Sequence, residues 1–409
     1  QFEQETGINV EIDAQPVADL RSAQIAEMSG PEGRYDLVSW ALPWKTEYAS
    51  EGLLSPLSQF FAQPRLADPE YNIADFSSAY VTSGGVVGGT KGYLKGTTGA
   101  LYGVPFGAET SILAYRKDVL EKHGLAVPKT YEELRAAMLT LAQAKVPALA
   151  SRGQSSADLT HAFLLHLSPL GGQIFDEAWE PQFTAPAAIE AAEFLRFVMQ
   201  TGSSTLRSSG FANAALSFLQ GETAMYLDTI KIGELSRDPN ISMIADQVGF
   251  ALHPSAATCG AGTDGFAIGI PANSDNANAA FLLLQYLTSK SGDRRIVELG
   301  GTPSRITTLF EFYGERPEFP IVAEQLQCAD PDWRPLIAEW DALQETVIGP
   351  ALKRVLDTKL PVAEIMEDAN TAALAIMEEA GYYTWQRSTT IVAGNEVAEV
   401  EDVAASVTE

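Results

Sequence analysis

Ile8, Val10, Ile12 and Ala14 alternate with polar residues, the period of a half-buried strand. Residues 16–28 then follow helical spacing and stop at Ser29-Gly30-Pro31. A second short strand, residues 35–40 (YDLVSW), leads into a helical segment over 41–48, and Glu51-Gly52-Leu53-Leu54 closes the unit. Strand, helix, strand, helix at this spacing predicts a parallel α/β lobe with right-handed crossovers.

Residues 101–134 (LYGVPFGAETSILAYRKDVLEKHGLAVPKTYEEL) combine three features. An apolar run with a proline spans 101–106, and a lone carboxylate, Glu109, follows in a small, apolar setting. Asp118 and Lys122 bracket a short amphipathic turn that Gly124 ends, and Thr130 with Glu133 forms a capping box for the next helix. A strand that carries one acid to its end and then leaves for a new helical layer predicts a crossing between two lobes. Further on, the pattern predicts a short strand near 148–151 and helices over 161–167, 185–200 and 211–220. Strands follow over 223–228, 248–252 and 265–270, then a helix over 275–288. From Thr302 to about Tyr383 the chain reads as almost wholly helical. The last stretch, 387–409, is acidic and aperiodic, a loosely held terminus. Late return of strand signal after residue 260 is the mark of a chain that crosses between lobes more than once.

The chain has 409 residues, 46% apolar and 20% charged, enough for two domains with sizeable cores. No apolar run reaches the length of a membrane span. A formal net charge of −26 repels phosphate backbones and anionic lipid, which argues against nucleic-acid and membrane-surface partners. The two cysteines, Cys259 and Cys328, exclude a disulfide-rich scaffold and a cysteine zinc site; one bridge or two buried thiols remain open. The opening FEQETG has the form of the last turn and glycine stop of a helix, so a leader and a first strand are expected upstream.

Catalytic patterns are sparse. The glycine-rich residues 83–99 lack the Lys-Ser/Thr of a phosphate cradle and read as a mobile or hairpin loop. There is no Gly-x-Ser-x-Gly elbow. His161 and His166, five apart, fall on different helix faces; they, His123 and His253 are assigned structural or surface roles, with no metal and no cofactor. Three carboxylates, Glu109, Asp228 and Asp264, stand at strand ends, where open α/β sheets place ligands. Trp40 and Trp44 follow a strand in WALPW, and aromatic platforms beside carboxylates and arginines suit sugar rings.

These features resemble the sugar-binding type of bacterial extracellular solute-binding proteins (family 1), which serve ATP-binding-cassette importers and include the maltose-binding protein. The resemblance covers most of residues 1–385. FEQETGINVEI, YDLVSWALPW…GLLSPL, LYGVPFGAETSILAYRKDVLEKHGL…PKTYEEL, FLQGETAMYLD and GTDGFAIGI…NANAAFLLLQYLTS…GGTPSR carry it, in family order. It implies a two-lobe α/β periplasmic-binding-protein fold of type II, with the ligand cleft between lobes joined by crossing hinge segments. The expected lobes are 1–110 plus 265–310 and 111–264 plus 311–386, with 387–409 as an acidic tail. Closure around the ligand would be a hinge motion.

By position, Trp40 matches a sugar-contacting aromatic and Glu109 a ligand-contacting glutamate, with the same spacing to Tyr115, Lys117 and Asp118. Pro43-Trp44 replaces an Asp-Arg pair, and Lys231 stands where the maltose-binding protein has a stacking tryptophan. Asp228, Arg152, Asp264 and Arg305 border the cleft in the family; Arg152 and Asp264 equally suit an ion pair or helix caps. These departures point away from a long maltodextrin and toward a monosaccharide or sugar alcohol. The resemblance implies a non-enzymatic, monomeric receptor, periplasmic or extracellular and membrane-tethered, with an inner-membrane ABC permease as partner. The competing reading is a glycoside hydrolase or lyase using Glu109 with Asp228 or Asp264. A peptide or anion receptor is a third, the anion version disfavoured by the net charge.

Overall fold

The computed structural model describes residues 1–88 and 99–383. Most of the glycine-rich loop and the acidic 387–409 tail lie outside the described residues.

Among the described residues there are eight strands: β1 (Val38–Ala41), β2 (Val86–Val87), β3 (Ala100–Leu101), β4 (Gly103–Arg116), β5 (Leu149–Ala150), β6 (Met225–Thr229), β7 (Val248–Ala251) and β8 (Thr263–Gly269). β2 and β3 form a small antiparallel ribbon at the flanks of the glycine-rich loop, as a hairpin requires. The main sheet runs β1-β8-β4-β6-β5, with β7 also on β4. Its long member, β4, serves both lobes. Residues Gly103 to Thr110 pair with β8, and Ser111 to Arg116 pair with β6 and β7. The switch falls beside Glu109, where Gly107 (φ 73°) and Gly265 (φ 96°) take left-handed backbone next to a bulge. A Cβ on Gly265 would meet the Gly107 carbonyl oxygen at 2.2 Å, so only glycine allows this crossing.

Two predictions change. The lobes are not parallel sheets: β8 inserts between β1 and β4 antiparallel to each, and only β5–β6 is parallel. Pairing with a strand that returns from a distant part of the chain decided this, which local spacing does not register. The predicted first strand over 8–14 is not one either. The segment is extended and has no ladder, and Ile12 is 86% exposed. Alternation without a neighbour to accept the backbone hydrogen bonds makes no strand.

The helical C-terminal third is interrupted. Between helices Phe319–Gln325 and Trp340–Leu343 the chain is irregular. Two prolines, Pro331 and Pro335, break this stretch. Its apolar residues Trp333, Leu336 and Ile337 are buried. With Trp340 they join Trp40 and Tyr48 of the first lobe to Phe163 and Leu195 of the second in one apolar cluster. Cys259 and Cys328 are disulfide-bonded, with Cα atoms 6.2 Å apart.

Candidate functional site

The register of β4 determines the centre. Glu109 lies directly opposite Asp264 on β8, so both side chains stand on one face of the ladder. Three residues further along β4, Ile112 opposes Asp228 on β6. Asp264 and Asp228 both lie close enough to act on the Glu109 carboxyl, so the three acids gather around the middle of β4.

Each of the two aspartates has its own cation. Arg152 grips Asp228 bidentately, Nε to Oδ2 at 2.6 Å and Nη2 to Oδ1 at 2.7 Å. His161 Nε2 is 2.9 Å from Asp228 Oδ1. The carboxylate only accepts, so this nitrogen carries the proton. The Thr229 backbone N–H adds a third donor at 2.9 Å. Burial opposes ionisation of Asp228, but Arg152 and then His161 outweigh it and hold the carboxyl well below its ordinary range. Asp264 accepts from Arg334 Nη2 at 3.0 Å and from the Gly265 N–H at 2.9 Å. Against the same opposing burial, Arg334 and His161 keep it low as well.

Glu109 has no such cation of its own. Burial, then the nearby Asp264 and Asp228, push its carboxyl up to about 7, against smaller opposing effects of the Thr229 hydroxyl and the Lys231 ammonium. Lys231 itself is ion-paired with Glu234. Near neutrality Glu109 therefore exists in both forms, able to donate to or accept from a hydroxyl. The Tyr80 and Tyr226 hydroxyls, both close enough to feel the Glu109 charge, are buried without a hydrogen-bond partner among the described residues.

Arg152, Asp158, His161, Asp264, Arg334 and Trp340 are among the residues lining a cavity of about 150 Å³. The edge of the His161 ring meets Trp333 at 5.5 Å, and Trp333 donates its indole N–H to the Thr263 carbonyl at 2.7 Å. Arg152 lies over the Phe211 ring at 4.7 Å. Arg334 Nε is buried with no partner among the described residues, an open donor beside the cavity. No group of three or more His, Cys, Asp or Glu among the described residues has the arrangement to hold a metal ion.

Of the eight predicted residues, Glu109, Arg152, Asp228 and Asp264 converge. Arg152 pairs with Asp228, not with Asp264. Lys231 stands at the edge and Trp44 is half-buried against Tyr48; neither lines the small cavity. Two assignments are corrected. Trp40 is 0% exposed: β1 turns it into the core, flat against backbone that must be glycine. A Cβ on Gly103 or Gly269 would come within 2.4 or 2.6 Å of its ring. Arg305 is likewise 0% exposed, bonded to the Thr288, Asn72 and Tyr71 carbonyls and to Asp75. Sequence reasoning missed His161, Trp333 and Arg334. The signal for the last two was Asp330-Pro331-Asp332 and Pro335, turn residues inside a span taken as helix. His166 and His253 are structural, each hydrogen-bonded within the core around Tyr131.

The chain and its fold are similar to those of known proteins. The chain is 25% identical over 389 residues to the mannitol-binding protein of Pseudomonas aeruginosa, covering 89% of this chain and 85% of that one. A solute-binding protein of Agrobacterium radiobacter K84, solved in complex with ribitol, superimposes with a TM-score of 0.78 at 23% identity, covering 91% and 92% of the two chains. One from Agrobacterium vitis S4 with bound D-mannitol gives 0.75 at 24% identity over 93% of each. The fold is thus the two-lobe, type II periplasmic-binding-protein fold. The sequence pattern of bacterial extracellular solute-binding proteins matches residues 1–294, and the chain belongs to that family.

Proposed function

We propose that this protein captures a sugar alcohol or monosaccharide and presents it to a membrane permease of an ABC importer. The observation that carries the reading is the small cavity walled by ion-paired Arg152, Asp264 and Arg334. Its volume of about 150 Å³ is below the roughly 300–1,000 Å³ of drug-sized pockets, so it suits one short polyol better than an oligosaccharide. Paired charges whose remaining lone pairs and N–H groups face a cavity bind vicinal hydroxyls without requiring a charged ligand. The names of the relatives, mannitol-binding and crystallised with ribitol and D-mannitol, support the same class.

The lobes are 1–110 plus 265–310 and 111–264 plus 311–386, hinged at the Gly107 and Gly265 crossing. Closure over the solute draws on contacts between them. Arg21 joins Glu47 of the first lobe to Asp341 of the second, and the Thr46 hydroxyl donates to the Leu336 carbonyl. The receptor works as a monomer outside the inner membrane; no helix among the described residues is long and apolar enough to cross one. Trp44 and Lys231 contribute at the cleft rim. A hydrolase is disfavoured because Asp228 and Asp264 are both neutralised by cations, which weakens them as nucleophile or base.

Isothermal calorimetry against tetritols, pentitols, hexitols, monosaccharides and maltose tests the reading. Micromolar or tighter binding of a polyol or monosaccharide, with the solute recovered unchanged, is expected. Preference for maltose, or consumption of the solute, would overturn it.

A further inference from the structure

We propose that the Cys259–Cys328 disulfide is a positioning device for the binding cleft, setting Trp333 and Arg334 against β8. This rests on the reading of the cleft as a solute site. The bridge is the first rung of a ladder between two chain segments that both end in the cleft. Beyond it, the Asp330 N–H donates to the Ala261 carbonyl at 2.9 Å, and Gly262 pairs with Asp330 as an isolated parallel bridge. Next, the Trp333 indole donates to the Thr263 carbonyl at 2.7 Å. Last, Arg334 Nη2 donates to Asp264 at 3.0 Å. Register is thus passed in five residues from the disulfide to a cleft carboxylate.

No regular secondary structure fixes the register of this segment. Residues 328–335 form no helix and no strand, so their backbone groups are not fixed by a regular ladder. Side-chain ties reinforce the same end. Gln325 accepts from the His253 N–H at 2.8 Å and reaches the Cys259 carbonyl at 3.4 Å, and Thr258 donates to the Ser168 carbonyl at 2.8 Å. The fit tolerates no slip. A Cβ on Gly262 would lie 2.4 Å from the Trp333 ring, so the indole sits directly on backbone. Arg334, with its unpartnered Nε, is the group whose aim this ladder controls. Cys328 is exposed, so the bridge is open to solvent while the groups it aligns are buried.

The test is the full chain carrying Cys259→Ala and Cys328→Ala. Without ligand, hydrogen exchange at the Trp333 indole N–H and the Asp330 amide should accelerate about tenfold or more, with the amides of β4 and β6 unchanged. With ribitol, affinity should fall about tenfold, and the loss should disappear in an Arg334→Met background, as coupled residues require. Unchanged indole exchange overturns the proposal whatever the protein binds. Losses that simply add to that of Arg334→Met also overturn it, because the bridge then acts through global stability alone. If the intact protein binds no polyol or monosaccharide, the receptor reading fails and the exchange measurement still decides the positioning role.

Discussion

Two arginines in this protein meet nearly the same chemistry and do different work. Arg305 lies over Tyr71 and Phe76, at 4.9 and 4.1 Å from their centroids, and pairs with Asp75. Arg152 lies over Phe211 and pairs with Asp228. What differs is where the remaining donors go. Arg305 gives Nε and both terminal nitrogens to the carbonyls of Thr288, Asn72 and Tyr71, tying two stretches of backbone together with none of its side chain exposed. Arg152 directs Nε and Nη2 to a single carboxylate and lines the cavity with the rest. A buried arginine whose donors end on backbone carbonyls is a fastening. One whose donors end on a carboxylate and whose own surface lines a cavity is part of a recognition surface.

Substitutions can break this contrast. Arg305→Met leaves three carbonyls and Asp75 buried without their donor, and should cost about 3–5 kcal/mol of stability in urea unfolding. The affinity of the folded fraction for its solute should not change. Arg152→Met should do the reverse in emphasis: calorimetry should show affinity falling about 100-fold, the scale of a lost charged contact plus a misplaced Asp228. Equal stability losses with intact binding in both would erase the distinction.

Glu109 sharpens the comparison because it is the carboxylate in the cluster without an arginine. Its folded pKa, about 7, is raised above the unfolded value near 4.5. Between those values the folded state holds a proton that the unfolded state has lost, so stability falls as pH rises through that window. Glu109→Gln removes this penalty. The empty protein should be more stable than wild type by about 1–3 kcal/mol at pH 8 and indistinguishable at pH 4, read from melting curves. A variant equally stable at both pH values would refute the shift. The smallest effect is expected at Arg21, whose pairs with Glu47 and Asp341 are partly exposed. Arg21→Ala should speed solute dissociation about two- to fivefold in low salt, and the difference should shrink at 1 M salt. A salt-independent change would mean packing rather than charge.

Much of the site was legible because short apolar runs are local. Glu109 and Asp228 follow short apolar runs and Asp264 precedes one, and the folded sheet brings all three together. The apolar runs are equally compatible with a residue facing in or out, which is why Trp40 was misplaced. Its orientation depends on Gly103 and Gly269, one on β4 and one on β8, making room for its ring. Arg305 was misjudged for a related reason. The Gly-x-Pro turn before it predicts a loop, but the carbonyls that receive its donors come from residues 71 and 72, far away in the chain. His161 was dismissed on helix geometry that was correct: it and His166 do face different partners. No spacing rule links residue 161 to an aspartate 67 residues later.

By itself the sequence determined most of the alternating elements, the crossing at Glu109, the N-cap at Thr130 and the absence of any local catalytic signature. Those are consequences of period, capping and residue type, which act over a few neighbours. Only the tertiary structure decided that β8 returns between β1 and β4, that Cys259 joins Cys328, and that Trp333 and Arg334 reach the cleft. Each of those joins residues about 70 or more apart, and the contact that fixes it exists only once the chain has folded.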